Sequence, residues 1–201
     1  MGNWYTNICV RGVPPDQVAR ALEELGRRAF VTPALSDWVF VYDEQCDEFD
    51  LHVLESLSLT LSAQLACTAV ASFNADDDVL WLGVYEQGVL SMRYASSLNM
   101  FEDGNDFPTV KKAAEVMARV FNKPQEVGKL RRILGRGHGA LGILRLVGIQ
   151  IQYLFEVLRH QELALLLGLP ADAAVLGHKY LRNGERPSGI AQDALLRVNG
   201  R

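Results

Sequence analysis

Cysteine is scarce in this chain of 201 residues, and what there is does not pair by spacing. Cys9, Cys46 and Cys67 are odd in number and never form C-x-x-C. That argues against a disulfide framework or a zinc ribbon and fits a reducing cytosol. Histidine is as thin: His52, His138, His160 and His178 stand at neither H-x-x-x-H nor H-E-x-x-H spacing, so no zinc signature is present. There is no G-x-S-x-G elbow, which removes the commonest sequence mark of a serine hydrolase. The N-terminus has neither the basic segment nor the long apolar run of a secretory signal. Its Met1-Gly2-Asn3-Trp4-Tyr5-Thr6 matches an acylation pattern in form, but Trp-Tyr reads better as the start of a strand. Residues 56–75 lack charge, yet Ser and Thr recur through them beside Gln64 and Asn74, which disqualifies them as a membrane span. A soluble cytosolic protein is the expectation.

What is present is enough for a large folded core. About half the residues are apolar (49%) and 22% are charged, a globular rather than a disordered composition. The pattern centres on Thr68–Ser96, which reads as three strands separated by turn signals at Asn74–Asp78 and Glu86-Gln87-Gly88. Val79–Tyr85 has no charged or hydrogen-bonding side chain apart from its Trp and Tyr tips. Such a strand needs cover on both faces and belongs inside a sheet.

Before it, Tyr5–Arg11 reads as a strand with Ile8 and Val10 inward and Asn7 and Arg11 outward. Pro14-Pro15-Asp16 opens a helix carrying Val18, Leu22 and Leu25 and closed by Gly26. Ala29–Pro33 and Trp38–Tyr42 follow as strands. The run LHVLESLSLTLSAQLAC alternates like a strand from Leu57 to Leu61 but also repeats like a helix through Leu54, Leu57, Leu61 and Leu65. Its length and the capping Asp50 favour helix.

This order, strand-helix-strand-strand-helix-strand, resembles the ferredoxin-like arrangement. The expected fold class is α+β: a ferredoxin-like split βαβ core over about residues 4–74, extended by an antiparallel hairpin at 79–95, with C-terminal helices packed on the sheet. Residues 1–96 form the sheet part, 97–106 a hinge loop and 107–201 a mainly helical extension of the same globular unit. In that extension Pro108 and Pro124 each open a helix, another starts near Tyr153, Ala174–Leu181 reads as a short strand, and the tail after Gly184 as loop. The resemblance rests on element order, and that fold serves enzymes, regulators, metal carriers and RNA binders alike, so it implies no activity.

Charge is segregated along the chain. Residues 37–106 hold fourteen acids and one base, Arg93, whereas residues 107–138 hold eight bases and two acids. Two readings follow. The basic helices could dock across the acidic sheet and neutralise it, or they could present Lys129, Arg131, Arg132 and Arg136 to an acidic partner.

Three stretches are candidates for chemistry. Asp76-Asp77-Asp78, in a hairpin turn, could ligate a metal, though calcium loops space their ligands as D-x-D-x-D with a downstream Glu. Cys46 sits among Asp43, Glu44, Asp47, Glu48 and Asp50, whose charge opposes a thiolate nucleophile. Gly135–Gly142, GRGHGALG, looks like a phosphate loop but follows a helix rather than a strand and has no Lys-Ser/Thr after its glycines.

The function expected is therefore a non-catalytic interaction or regulatory protein that meets a protein partner through its acidic sheet end or its basic helical face. The alternative is a metal- or phosphate-handling enzyme with Asp76, Asp77 and Asp78 as ligands and Arg136 or His138 on the anion. No cofactor and no membrane is expected. Self-association through the strand Val89–Ala95 is open. Nucleic acid is disfavoured, because the basic segment has no interleaved aromatics and RNA binding through the sheet needs exposed ones.

Overall fold

Seven strands, each antiparallel to its neighbours, form one sheet in the computed structural model of the chain, which describes residues 2–98, 107–135 and 155–200. In chain order the elements are β1 (Tyr5–Arg11), α1 (Pro15–Glu24), β2 (Ala29–Val31), β3 (Trp38–Asp43), α2 (Leu51–Gln64), β4 (Thr68–Ala75), β5 (Val79–Glu86), β6 (Val89–Ala95), α3 (Val110–Val120), α4 (Val127–Leu134), α5 (Glu156–Leu167), α6 (Ala171–Ala174), α7 (His178–Arg182) and β7 (Leu196–Val198). Across the sheet the order is β6-β5-β4-β1-β3-β2-β7. No helix among the described residues is long and apolar enough to cross a membrane.

The local choices follow from sequence. Pro15 takes the first position of α1, where no amide partner is needed, and Val18, Ala21 and Leu22 turn inward. Asp50 caps α2 by accepting the amide of His52 at 2.9 Å, and the buried set Leu54, Leu57 and Leu61 has helical spacing while Leu59 stays exposed. The helix reading of that run is the one realised.

The sheet is covered on both faces because its strands are apolar on both. One face, with Ile8, Val10, Val39, Val41, Ala71, Trp81 and Tyr85, packs on α1 and α2. The other, with Cys9, Phe40, Tyr42, Leu80, Leu82 and Val84, packs on α3 to α7. On β5 the split falls between Trp81 and Tyr85 on one side and Leu80, Leu82 and Val84 on the other. Gly83 is required between the two aromatics, since a Cβ there would lie 2.4 Å from the Trp81 ring and 3.0 Å from that of Tyr85. Burying apolar side chains of this size stabilises by about 1.5–3 kcal/mol each, so removing cover from either face would expose a full strand's worth.

Four expectations need correction. Asn7 is buried rather than outward, because the second face of β1 lies under α6 and gives its side-chain amide the carbonyls of Ala174 and Leu176, at 2.8 and 2.9 Å. Arg11 is only partly exposed and donates to the Val120 carbonyl at the end of α3, at 2.7 Å. Ala174–Leu181 is not a strand: α6 ends at Ala174, and α7 begins at His178, after Gly177. Within the tail, β7 pairs Leu196 with Val31 and Val198 with Ala29, so part of the presumed loop closes the β2 edge. Most of the expected hinge, residues 99–106, lies outside the described residues, as do Tyr153 and the start expected there for α5.

Candidate functional site

The acidic end of the sheet, a buried histidine cluster behind it, and the α3–α4 hairpin each combine charge, polarity or concavity.

At the acidic end the carboxylates are turned onto backbone amides. Asp77, 4% exposed, accepts the amide and side chain of Asn3 at 2.8 and 2.9 Å through Oδ2, and Asn74 Nδ2 and the Val157 amide at 3.0 and 3.3 Å through Oδ1. Its carbonyl accepts the Glu156 amide at 3.0 Å. Asp77 thus caps α5 from a hairpin eighty residues earlier, meeting the free first-turn amides that every helix leaves. Asp76 Oδ1 accepts the Gly2 amide at 2.8 Å and Trp4 Nε1 at 3.0 Å. Both residues have positive φ, +51° and +60°, a conformation that Asp tolerates better than most.

Asp47 does the same for α7. It accepts the Lys179 amide at 2.8 Å and the Thr6 amide and hydroxyl at 3.1 and 2.9 Å. Burial raises its pKa, while those bonds and the nearby Lys179 pull it down. Asp43 forms a bidentate pair with Arg27. Cys46 lies buried beside that pair; burial, with Asp43 next, pushes its thiol pKa far up against the opposing pull of Arg27, which makes it inert. Of the expected metal triplet, Asp76 and Asp77 spend oxygens on these donors. No group of three or more His, Cys, Asp and Glu side chains among the described residues is placed to share a metal ion.

Helix ends of opposite sign are tied off by donors. Tyr42 OH bonds the Ala173 carbonyl and Tyr94 OH the Leu134 carbonyl, each at 2.9 Å. Arg159, fully buried, pairs with Glu156 at 2.7 Å and also donates to the Ile133 carbonyl at 2.8 Å and to Tyr94 OH at 2.9 Å. A charge removed from water this completely needs such a set of partners.

His160 lies behind the acidic end between Tyr5 OH (2.9 Å from Nδ1) and Ser72 Oγ (3.3 Å from Nε2). Burial lowers its pKa to about 4, so the ring is neutral. A base beside a hydroxyl has the outline of catalytic chemistry. The cavity it lines holds about 20 Å³, room for one water and no substrate.

The α3–α4 hairpin is different. Ala113, Ala114, Met117, Val120, Leu130, Ile133 and Leu134 face the sheet, and Lys111, Lys112, Arg119, Lys129, Arg131 and Arg132 face outward. Lys111 pairs with Glu115 at 4.0 Å and Lys129 with Glu126 at 2.9 Å, both within the hairpin. Arg119 alone among these six reaches the acidic sheet, meeting Glu86 at 2.8 and 2.5 Å. Lys112, Arg131 and Arg132 form no ion pair with any described residue. The helices dock by their apolar faces, and among the described residues of α3 and α4 the ion pair that reaches the sheet is that of Arg119 with Glu86.

Of the expected interaction residues, Lys129, Arg131 and Arg132 are exposed on α4, and Lys111, Lys112 and Arg119 are exposed on α3. Those three were inside the basic segment already; their helical phase opposite Ala113, Ala114 and Met117 was the available signal. Arg136, His138 and the glycine-rich run beyond Gly135 lie outside the described residues. Trp38 and Phe40 are buried under α3–α7, so the sheet offers neither to RNA. Comparison with protein-family models, with curated proteins and with solved structures finds no match for this chain.

Proposed function

We propose that this chain is a non-catalytic cytosolic interaction protein that meets an acidic protein partner through the outer face of α3 and α4. The observation that carries it is the contrast between the two charged regions. At the sheet end Asp47, Asp76 and Asp77 are committed to amides and Asp43 to Arg27, whereas Lys112, Arg131 and Arg132 stand exposed without an internal partner among the described residues. The face has no exposed aromatic on α3 or α4, which favours a protein over single-stranded nucleic acid.

Strand order β4-β1-β3-β2 with both connecting helices on one face supports reading residues 4–74 as a ferredoxin-like core with β5 and β6 added. That reading places the basic hairpin but assigns it no role. The three buried free cysteines support a reducing compartment.

Fluorescence anisotropy of labelled polyglutamate tests the proposal. Binding is expected at about 0.02 M salt, weakening severalfold by about 0.2 M as the Debye length shrinks, and is expected to vanish in Arg131→Glu/Arg132→Glu. Equal binding by that variant would refute it.

Self-association through β6 is the second reading. It rests on Val89, 64% exposed on the open edge. Against it stand a bulge, where Tyr85 opposes Leu90 and Val84 opposes Met92, and the pairing of Arg93 with Glu55 at 3.0 Å. Sedimentation at high concentration decides: a monomer removes this reading.

A further inference from the structure

The basic face is not flat. Between the end of α3 and the start of α4 lies a groove of about 330 Å³, lined by Glu115, Ala118, Arg119, Asn122, Pro124 and Val127. Its shape comes from the chain reversal. α3 stops at Val120, Asn122 takes φ +54°, and Pro124 opens the turn that leads into α4. Ala118, 1% exposed, forms the floor, and Val127 and Pro124 add apolar lining. The volume is at the lower end of those that take up organic ligands, about 300–1,000 Å³.

A second observation lies beside the groove. Gly128, next to Val127, is exposed and helical, and a Cβ added there would meet nothing within 4 Å. Neither backbone conformation nor packing among the described residues requires a glycine at this first-turn position of α4. Glycine does suit a site that another backbone approaches closely.

Charge surrounds this notch. Arg131 follows Val127 by one turn of α4, and Lys111 precedes Glu115 by one turn of α3, so both extend the faces that bound the groove. Within the groove the one acid, Glu115, is already met by Lys111, and Arg119 by Glu86. The surface therefore offers an apolar recess with Arg131 one turn beyond Val127, and with Lys112 and Arg132 exposed on the same two helices, none of the three ion-paired with a described residue. We infer that the partner segment is an acidic peptide carrying one apolar side chain, which enters the α3–α4 groove while its carboxylates meet the flanking bases.

This inference rests on the basic-face reading, and the experiment separates the two. Anisotropy compares a labelled oligoglutamate with the same peptide carrying one central leucine, on the intact chain. Burying the leucine is expected to tighten binding tenfold or more, the equivalent of about 1.5 kcal/mol. Ala118→Met, which fills the floor, is expected to erase that gain and leave oligoglutamate binding unchanged, with its melting temperature as the check on folding. Equal affinity of the two peptides for the native chain, with both lost in Arg131→Glu/Arg132→Glu, overturns the groove and leaves the basic face standing. Failure of both peptides to bind at low salt overturns both. Tighter binding of an oligothymidylate than of the leucine peptide also overturns the inference.

Discussion

Replacing Asp77 by alanine probes the structural reading of the acidic turn most severely. The carboxylate receives four hydrogen bonds, two from Asn3, one from Asn74 and one from the Val157 amide of α5. Losing a helix cap costs about 1 kcal/mol, within 0.5–2. Each donor left buried without an acceptor adds about 1–3 kcal/mol, but Asn74 Nδ2 retains the Asn3 carbonyl at 3.1 Å, and Asn3 is exposed enough to find water. Alanine at φ +60° adds strain that aspartate tolerates better. The expected loss is about 2–4 kcal/mol, a large part of the 5–15 kcal/mol typical of a domain. Urea unfolding measures it. Hydrogen exchange localises it, with faster exchange expected first at the Val157 and Leu158 amides. A loss below about 0.5 kcal/mol, the range of an ordinary surface substitution, would refute the capping argument.

Three further predictions follow from neighbouring groups. Arg159→Met should destabilise by about 3–5 kcal/mol, because the buried Glu156 would lose this 2.7 Å ion pair and the Ile133 carbonyl its charged donor, and adding Glu156→Leu should recover part of that in the same unfolding assay. The unfolded chain protonates His160 near the ordinary 6.5 and the folded chain only at about 4, so its contribution is complete above 6.5 and is lost as the pH falls towards 4. That loss approaches about 3 kcal/mol, and His160→Gln should flatten the unfolding free energy over that window; an unchanged slope would show that the ring is solvated. Calcium, magnesium or manganese should move the melting temperature by less than about 1 °C, since a site filled at a hundredfold over its dissociation constant would add about 2.7 kcal/mol and a shift of several degrees would restore the metal reading of Asp76–Asp78.

Much of the fold was legible because periodicity is local. Val79–Tyr85 is apolar on successive positions and is buried along its length, and Asp50 tips an ambiguous run into α2. The parts that were not legible depend on distant partners. Asn7 is inside because the Ala174 and Leu176 carbonyls come to it, and Asp77 is a cap because α5 begins beside it; neither sequence neighbourhood carries that information. β7 has three residues and no readable period. α6 and α7 are too short for an apolar stripe and are held by Tyr42, Asn7 and Asp47 from other elements. For the interaction surface the charge imbalance was visible, and the helical phase of Lys112 and Arg119 against Ala114 and Met117 already pointed the bases outward. What sequence could not supply is the groove, which needs α3 and α4 side by side.

The division between a structural acidic end and a partner-facing basic hairpin is tested most directly by amide chemical-shift mapping of the labelled protein during titration with the leucine-bearing oligoglutamate. The account predicts shifts confined to α3, the turn at Asn122–Glu126 and the first turns of α4, centred on Ala118, Val127 and Gly128, with the Asp43–Asp50 and Asn74–Asp78 turns unmoved. Shifts concentrated at those two acidic turns, with α3 and α4 silent, would contradict it.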